Sequence, residues 1–178
     1  MPVRPRPLIA ALGLAAATSL TLVTAPASAA KGHGWPHPDL EKTYNATVQY
    51  QSEQAALDDG YLRTDDCVED EKLGGMGYHY VKPEHVGSTD PTKPAALLYE
   101  DDHKGGRKLI AVEWVVPNTG QPRPQAFNRG FDGPFDFEPV GPHYSLHAWI
   151  FKKNPKGVFT PYNPKVTCDC APTSTPHP

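Results

Sequence analysis

Apolar residues recur in two rhythms along this chain. From position 40 to 59, Leu40, Tyr44, Val48, Gln51 and Ala55 follow at three- to four-residue intervals, which lines up one helical face. Asp39 stands where an N-cap belongs and Gly60 follows as a stop, so one helix is predicted over 40–59. Further on the period is two. In 107–116, Ile110, Val112, Trp114 and Val116 alternate with Leu109, Ala111, Glu113 and Val115. In 143–151, Tyr144, Leu146, Ala148 and Ile150 alternate with His143, Ser145, His147, Trp149 and Phe151. Such alternation predicts strands.

Shorter strands are predicted at 77–82, which Pro83 ends, and at 95–100. The turn Asp101-Asp102-His103-Lys104-Gly105-Gly106 would join 95–100 to 107–116 as an antiparallel hairpin. Residues 61–75 are polar and read as a connection. Residues 117–142 carry Pro117, Pro122, Pro124, Pro134, Pro139 and Pro142, so they read as a long covering or binding loop. Its aromatics Phe127, Phe131, Phe135 and Phe137 need burial, and Phe159 and Tyr162 mark a short last piece. The expected fold is α+β: an N-terminal helix packed on a mainly antiparallel sheet of four to six strands, with scope to roll toward a barrel.

The chain has 178 residues, and its ends differ from the rest. Arg4 and Arg6 precede an apolar stretch over 8–23, and Ala27-Ser28-Ala29 or Ser28-Ala29-Ala30 satisfies the small-residue cleavage rule. Residues 1–30 therefore read as a secretory signal peptide, because the apolar core is short for a membrane span. A flexible segment over 31–38, one globular domain over 39–170 and a disordered Pro/Thr tail over 171–178 are expected after it. Without Arg4 and Arg6, 15 basic residues remain of 17, against 20 acidic ones, a formal charge near −5. That balance argues against nucleic acid and, after cleavage of the signal, against a membrane surface as partners.

Three cysteines are present: Cys67, Cys168 and Cys170. In an exported chain a disulfide is the default, and Cys168 and Cys170 are too close for an easy mutual bridge. A bond from Cys67 to Cys168 or to Cys170 is expected, closing a loop of about a hundred residues.

The candidate chemistry lies in ionisable groups set inside apolar strands. His79 stands between Tyr78 and Tyr80, Glu113 interrupts an apolar face, and His143 and His147 share one face of the last strand. A buried unpaired carboxylate is unfavourable, so Glu113 needs a cation, a metal or a protonated histidine beside it. Three imidazoles and a carboxylate are a common first shell for one divalent transition metal such as Zn, Cu, Mn or Fe. His143 and His147 are about 13 Å apart along an ideal strand, too far to share one metal unless the strand bends. His147, flanked by Leu146 and Trp149, is the stronger candidate, and His143, right after Pro142 at the strand edge, a loop or outer residue. A second possibility sits at the mature terminus. Cleavage after Ala30 would expose Lys31-Gly32-His33, a square-planar Cu(II) or Ni(II) chelate; cleavage after Ala29 would remove it.

Several segments together carry a resemblance. Ala56-Leu57-Asp58-Asp59-Gly60-Tyr61, Cys67-Val68-Glu69, Gly75-Met76-Gly77-Tyr78-His79-Tyr80-Val81-Lys82-Pro83, Leu97-Leu98-Tyr99-Glu100, Val112-Glu113-Trp114, His143-Tyr144-Ser145-Leu146-His147-Ala148-Trp149, and the stretch from Asn154-Pro155 to Cys168 resemble a group of small secreted bacterial proteins of uncharacterised function. The resemblance implies Cys67–Cys168 as the bridge and Cys170 as the odd thiol. A looser similarity is to cupins, which hold a metal with three His and one Glu on a small β-barrel. The order here, His79, Glu113, His143, His147, lacks their close His-x-His followed by Glu.

Two functional readings follow. In one, the chain is a secreted metal- or small-ligand-binding protein whose site is His79, Glu113, His147 and His143. In the other, it is an extracellular interaction or structural domain without a catalytic site, and the same residues form an internal hydrogen-bond network.

Overall fold

The structure is a computed structural model and describes Met1 and residues 33–102, 104–137 and 140–168. The predicted signal peptide, Cys170 and the Pro/Thr tail lie outside these residues. The chain divides into Met1–Lys31 and a compact unit, Gly32–Pro178; everything below concerns the second. No helix among the described residues is long and apolar enough to cross a membrane.

The predicted 40–59 helix is present but broken. It runs as α1 (Asp39–Thr47), a 3-10 turn over Val48–Gln51, and α2 (Glu53–Asp58). Two interactions account for the break. The Tyr50 carbonyl accepts from the Tyr99 hydroxyl at 2.6 Å rather than from a later helical N–H. Ser52 turns extended, with φ −84° and ψ 113°, and its side chain caps α2 by accepting from the Ala55 N–H.

The strands are β1 (Leu62–Asp70), β2 (Gly74–Val81), β3 (Ala96–Asp101), β4 (Arg107–Pro117), β5 (Gln125–Ala126), β6 (Arg129–Gly130), β7 (Asp132–Phe137) and β8 (Gly141–Ala148). Six of them form one antiparallel sheet in the order β1-β2-β3-β4-β8-β7, curled into a half-barrel, so the α+β expectation stands. Two expectations are corrected. The polar segment 61–75 is largely a strand, because β1 is an edge whose pairing with β2 needs only backbone groups. The long loop 117–142 contains β7, which pairs with β8 as the opposite edge, and a small β5-β6 ladder. The last strand also stops at Ala148 rather than at 151.

One sheet face packs on the helices. Tyr78, Tyr80, Leu97, Tyr99, Val112, Trp114, Leu146 and Ala148 meet Leu40, Tyr50 and Ala56 in the main core. Phe127 and Phe131 join the buried set, with Phe127 4.9 Å from the Trp114 ring, whereas Phe135 stays 42% exposed. The alternation predicted for β4 fails once. Tyr99 pairs with Leu109 while Leu98 pairs with Ala111, so β4 carries an extra residue there. This bulge turns Leu109 into the main core and Ile110 to the other face.

The other face holds a smaller cluster of Ala96, Leu98, Ile110, Ala111, Trp149 and Val166. Residues 149–168 lie across it. The Gly75 N–H donates to the Asn163 and Val166 carbonyls at 3.2 and 2.8 Å, and Trp149 Nε1 donates to the Thr160 carbonyl at 2.6 Å. This close approach needs glycine: at Gly74, with φ +91°, a Cβ would stand 2.3 Å from the Asn163 oxygen. The Cys67–Cys168 disulfide fastens the end of the segment to β1.

The buried tyrosines of the main core set an alkaline limit. Burial is the first cause that raises Tyr50, Tyr61, Tyr80 and Tyr99 above the ordinary phenol range, Tyr50 to about 12. Hydrogen bonds from Tyr50 to Asp59 and from Tyr80 to Glu53 add to the effect for those two. The stability these groups contribute is complete below the unfolded phenol pKa near 10 and is lost as pH rises through the folded values. Urea unfolding midpoints are therefore expected to fall between pH 10 and pH 12. A flat profile over that window would contradict this account.

Candidate metal centre

The site lies on the second face, where three strands each contribute one side chain. Cα pairing sets Glu113 of β4 directly opposite His147 of β8, and opposite Ala96 of β3 on its other side. His79 of β2 pairs with Leu98, one step along β3 from Ala96's row. The small Ala96 leaves the space between them open, so the side chains of β2 and β4 meet across the intervening strand.

Ligand-capable atoms of His79, Glu113 and His147 lie within 4.8 Å of one another. His79 Nε2 is 3.4 Å from Glu113 Oε2, and His147 Nε2 is 3.5 Å from Glu113 Oε1. The side chains are 16, 8 and 1% exposed, respectively. Among the described residues, His79 Nδ1 and both ring nitrogens of His147 are buried without a hydrogen-bond partner.

The electrostatics suit ligands. Burial pushes the Glu113 carboxyl upward, but the imidazoles of His147 and His79 and the Ser145 hydroxyl outweigh it and hold the group at about 2. Burial is also the largest influence on His147 and lowers it, with His79 adding to the effect and Glu113 and Asp132 opposing it. The pull of His147 on Glu113 acts only while that ring is protonated, and burial drives the ring toward its neutral form; a carboxylate beside a neutral imidazole is the state that binds a metal.

His143 does not join this group. It sits at the start of β8 between Pro117 and Phe135, and its Nδ1 is 2.7 Å from the Gly141 carbonyl oxygen. Because β8 stays extended, four residues separate it from His147 by more than one shell can span. The Lys31-Gly32-His33 chelate lies largely outside the described residues. His33 itself stacks on Trp35 at 4.3 Å and lies 3.2 Å from Glu41.

Two residues near the site carried weaker signals. Ser145 shares the His147 face by period two but offers only a hydroxyl. Asp132 falls in the proline-rich stretch read as loop, and only the β7-β8 pairing brings it opposite Ser145. Two surface clefts lie elsewhere: one is lined by Glu100, Asp102, Lys104, Lys108, Lys152 and Lys165, the other by Gln51, Arg107 and Phe151 among others. Neither opens on His79, Glu113 or His147. No protein-family model, curated protein or solved structure matches the chain.

Proposed function

We propose that this chain binds one divalent transition metal through His79, Glu113 and His147, with zinc the best fit, and that it does so outside the cell. The observation that carries the reading is the convergence of three donor atoms within 4.8 Å of one another, on three strands, with both His147 ring nitrogens unpartnered. The donor set, two imidazoles and one carboxylate, is one that zinc takes. Two ligands about 2.05 Å from a metal at the tetrahedral angle are about 3.3 Å apart, whereas cis ligands of an octahedron at about 2.15 Å are about 3.0 Å apart. The 3.4 and 3.5 Å separations run from the two imidazoles to different oxygens of Glu113, and the three donors span up to 4.8 Å, so the side chains would draw closer around a bound metal. The two separations are also long for charge-assisted hydrogen bonds, which run at about 2.7–2.9 Å. That argues against an internal His–Glu–His network as the end in itself.

Three protein ligands leave a fourth tetrahedral position for water or a small ligand. His79 is the most exposed of the three, so that position lies on its side of the site. The signal-like first thirty residues and the Cys67–Cys168 disulfide support an oxidising compartment as the place of action.

The test is metal content. Mature protein loaded with zinc and dialysed is expected to retain about one equivalent, and Glu113→Ala and His147→Ala to retain none while staying folded. A wild type that holds no zinc, with variants that only melt at lower temperature, would leave these residues as an internal network.

A further inference from the structure

A ligating histidine has a second nitrogen that also needs a partner. Nε2 of His147 faces Glu113. Ligation through Nε2 fixes the ring proton on Nδ1, and a buried N–H left without an acceptor is unfavourable. Metal-bound histidines almost always donate that N–H to a carboxylate, a carbonyl or water.

Among the described residues only one buried side-chain oxygen lacks a hydrogen-bond partner, and it is Oδ2 of Asp132. Asp132 opens β7 opposite Ser145 of β8, so it stands diagonally from His147 on the same face. Diagonal neighbours in an antiparallel pair are within reach of longer side chains. Arg129 Nη2 holds the other oxygen, Oδ1, at 3.3 Å, and its guanidinium lies 5.2 Å over the Phe159 ring. The carboxylate is thus anchored at its outer oxygen, and its inner oxygen is buried. Asp132 is not one of the converging donors itself, and its Oδ2 and the Nδ1 of His147 are both unpartnered, close enough to interact electrostatically but not yet in hydrogen-bond contact.

We propose that Asp132 is a positioning residue for the metal centre: when a metal takes Nε2 of His147, Oδ2 of Asp132 closes on the ring, accepts its Nδ1–H and so fixes the tautomer that presents Nε2. The inference rests on the metal reading above. It gives β7 a role at the site beyond closing the sheet edge, and it explains why an aspartate stands where the chain leaves the β5-β6 ladder.

The experiment compares wild type, Asp132→Asn, Asp132→Ala and His147→Ala. Zinc affinity is measured by competition with a chromophoric chelator, the visible spectrum is recorded at saturating Co(II), and the metal-free unfolding midpoint is taken for each. Both Asp132 variants are expected to bind one equivalent with affinity reduced about 10- to 100-fold and with displaced Co(II) bands. His147→Ala is expected to bind none. A merely structural role would lower the metal-free midpoint and leave the Co(II) bands of the loaded protein in place, and that pattern would overturn the proposal. So would affinities within twofold of wild type in both variants. Absence of zinc binding by the wild type would overturn the metal reading and this inference together, whereas failure confined to the Asp132 variants would overturn the inference alone.

Discussion

Zinc at about a thousand times its dissociation constant is expected to raise the unfolding free energy of the mature chain by about 4 kcal/mol, and Glu113→Gln is expected to erase that increment. The argument is linkage. The three donors come from β2, β4 and β8, and only the folded sheet brings them together. The unfolded chain therefore binds the metal weakly, and binding energy appears as stability. Glutamine is chosen because it keeps the volume of a side chain that is 8% exposed while removing its charge and most of its donor power. Chemical denaturation with and without zinc reads the difference directly. An equal zinc-dependent shift in Glu113→Gln would mean that the metal binds elsewhere.

Paired replacement of Cys67 and Cys168 by serine is expected to lower stability by about 4 kcal/mol, because their bond closes a loop spanning 101 residues. The bond acts mainly by restricting the unfolded chain, and the loop is long enough for that restriction to be large. It also tethers residues 149–168, which cover Ala96, Leu98, Ile110 and Ala111 on the face that carries the metal site. Loss of the tether is expected to loosen that cover first. Hydrogen exchange should then rise at the Gly75 amide, which donates to the Asn163 and Val166 carbonyls, before it rises within β3 and β4. A change below about 1 kcal/mol would mean that these glycine contacts hold the segment without the disulfide.

The inner strands were legible because burial writes itself into alternation. β3, β4 and β8 bury both faces, and their apolar runs declare them. The same runs made Glu113 and His147 conspicuous, since an ionisable group inside such a run needs a partner. The edges were illegible for the opposite reason. β1 exposes most of its side chains and carries Arg63, Asp65, Asp66, Glu69 and Asp70, charges that protect an open edge but look like a loop. β7 includes Pro134, which a central strand would not tolerate but an edge can. Asp132 was lost with it. The break at Ser52 and the bulge at Ile110 depend on partners distant in sequence, Tyr99 for the first and the β3 register for the second. His143 and His147 share a face by period two; the apolar neighbours Leu146 and Trp149 already favoured His147, and the pairing of Glu113 with it on the neighbouring strand points the same way.

The most direct measurement is zinc-edge X-ray absorption on the mature protein loaded with one equivalent of the metal. The account predicts a four-coordinate shell of two imidazoles and light oxygen donors at about 2.0–2.2 Å, with the imidazole signature of one histidine lost in His147→Ala. A six-coordinate shell of oxygen alone, unchanged in His147→Ala, would contradict it.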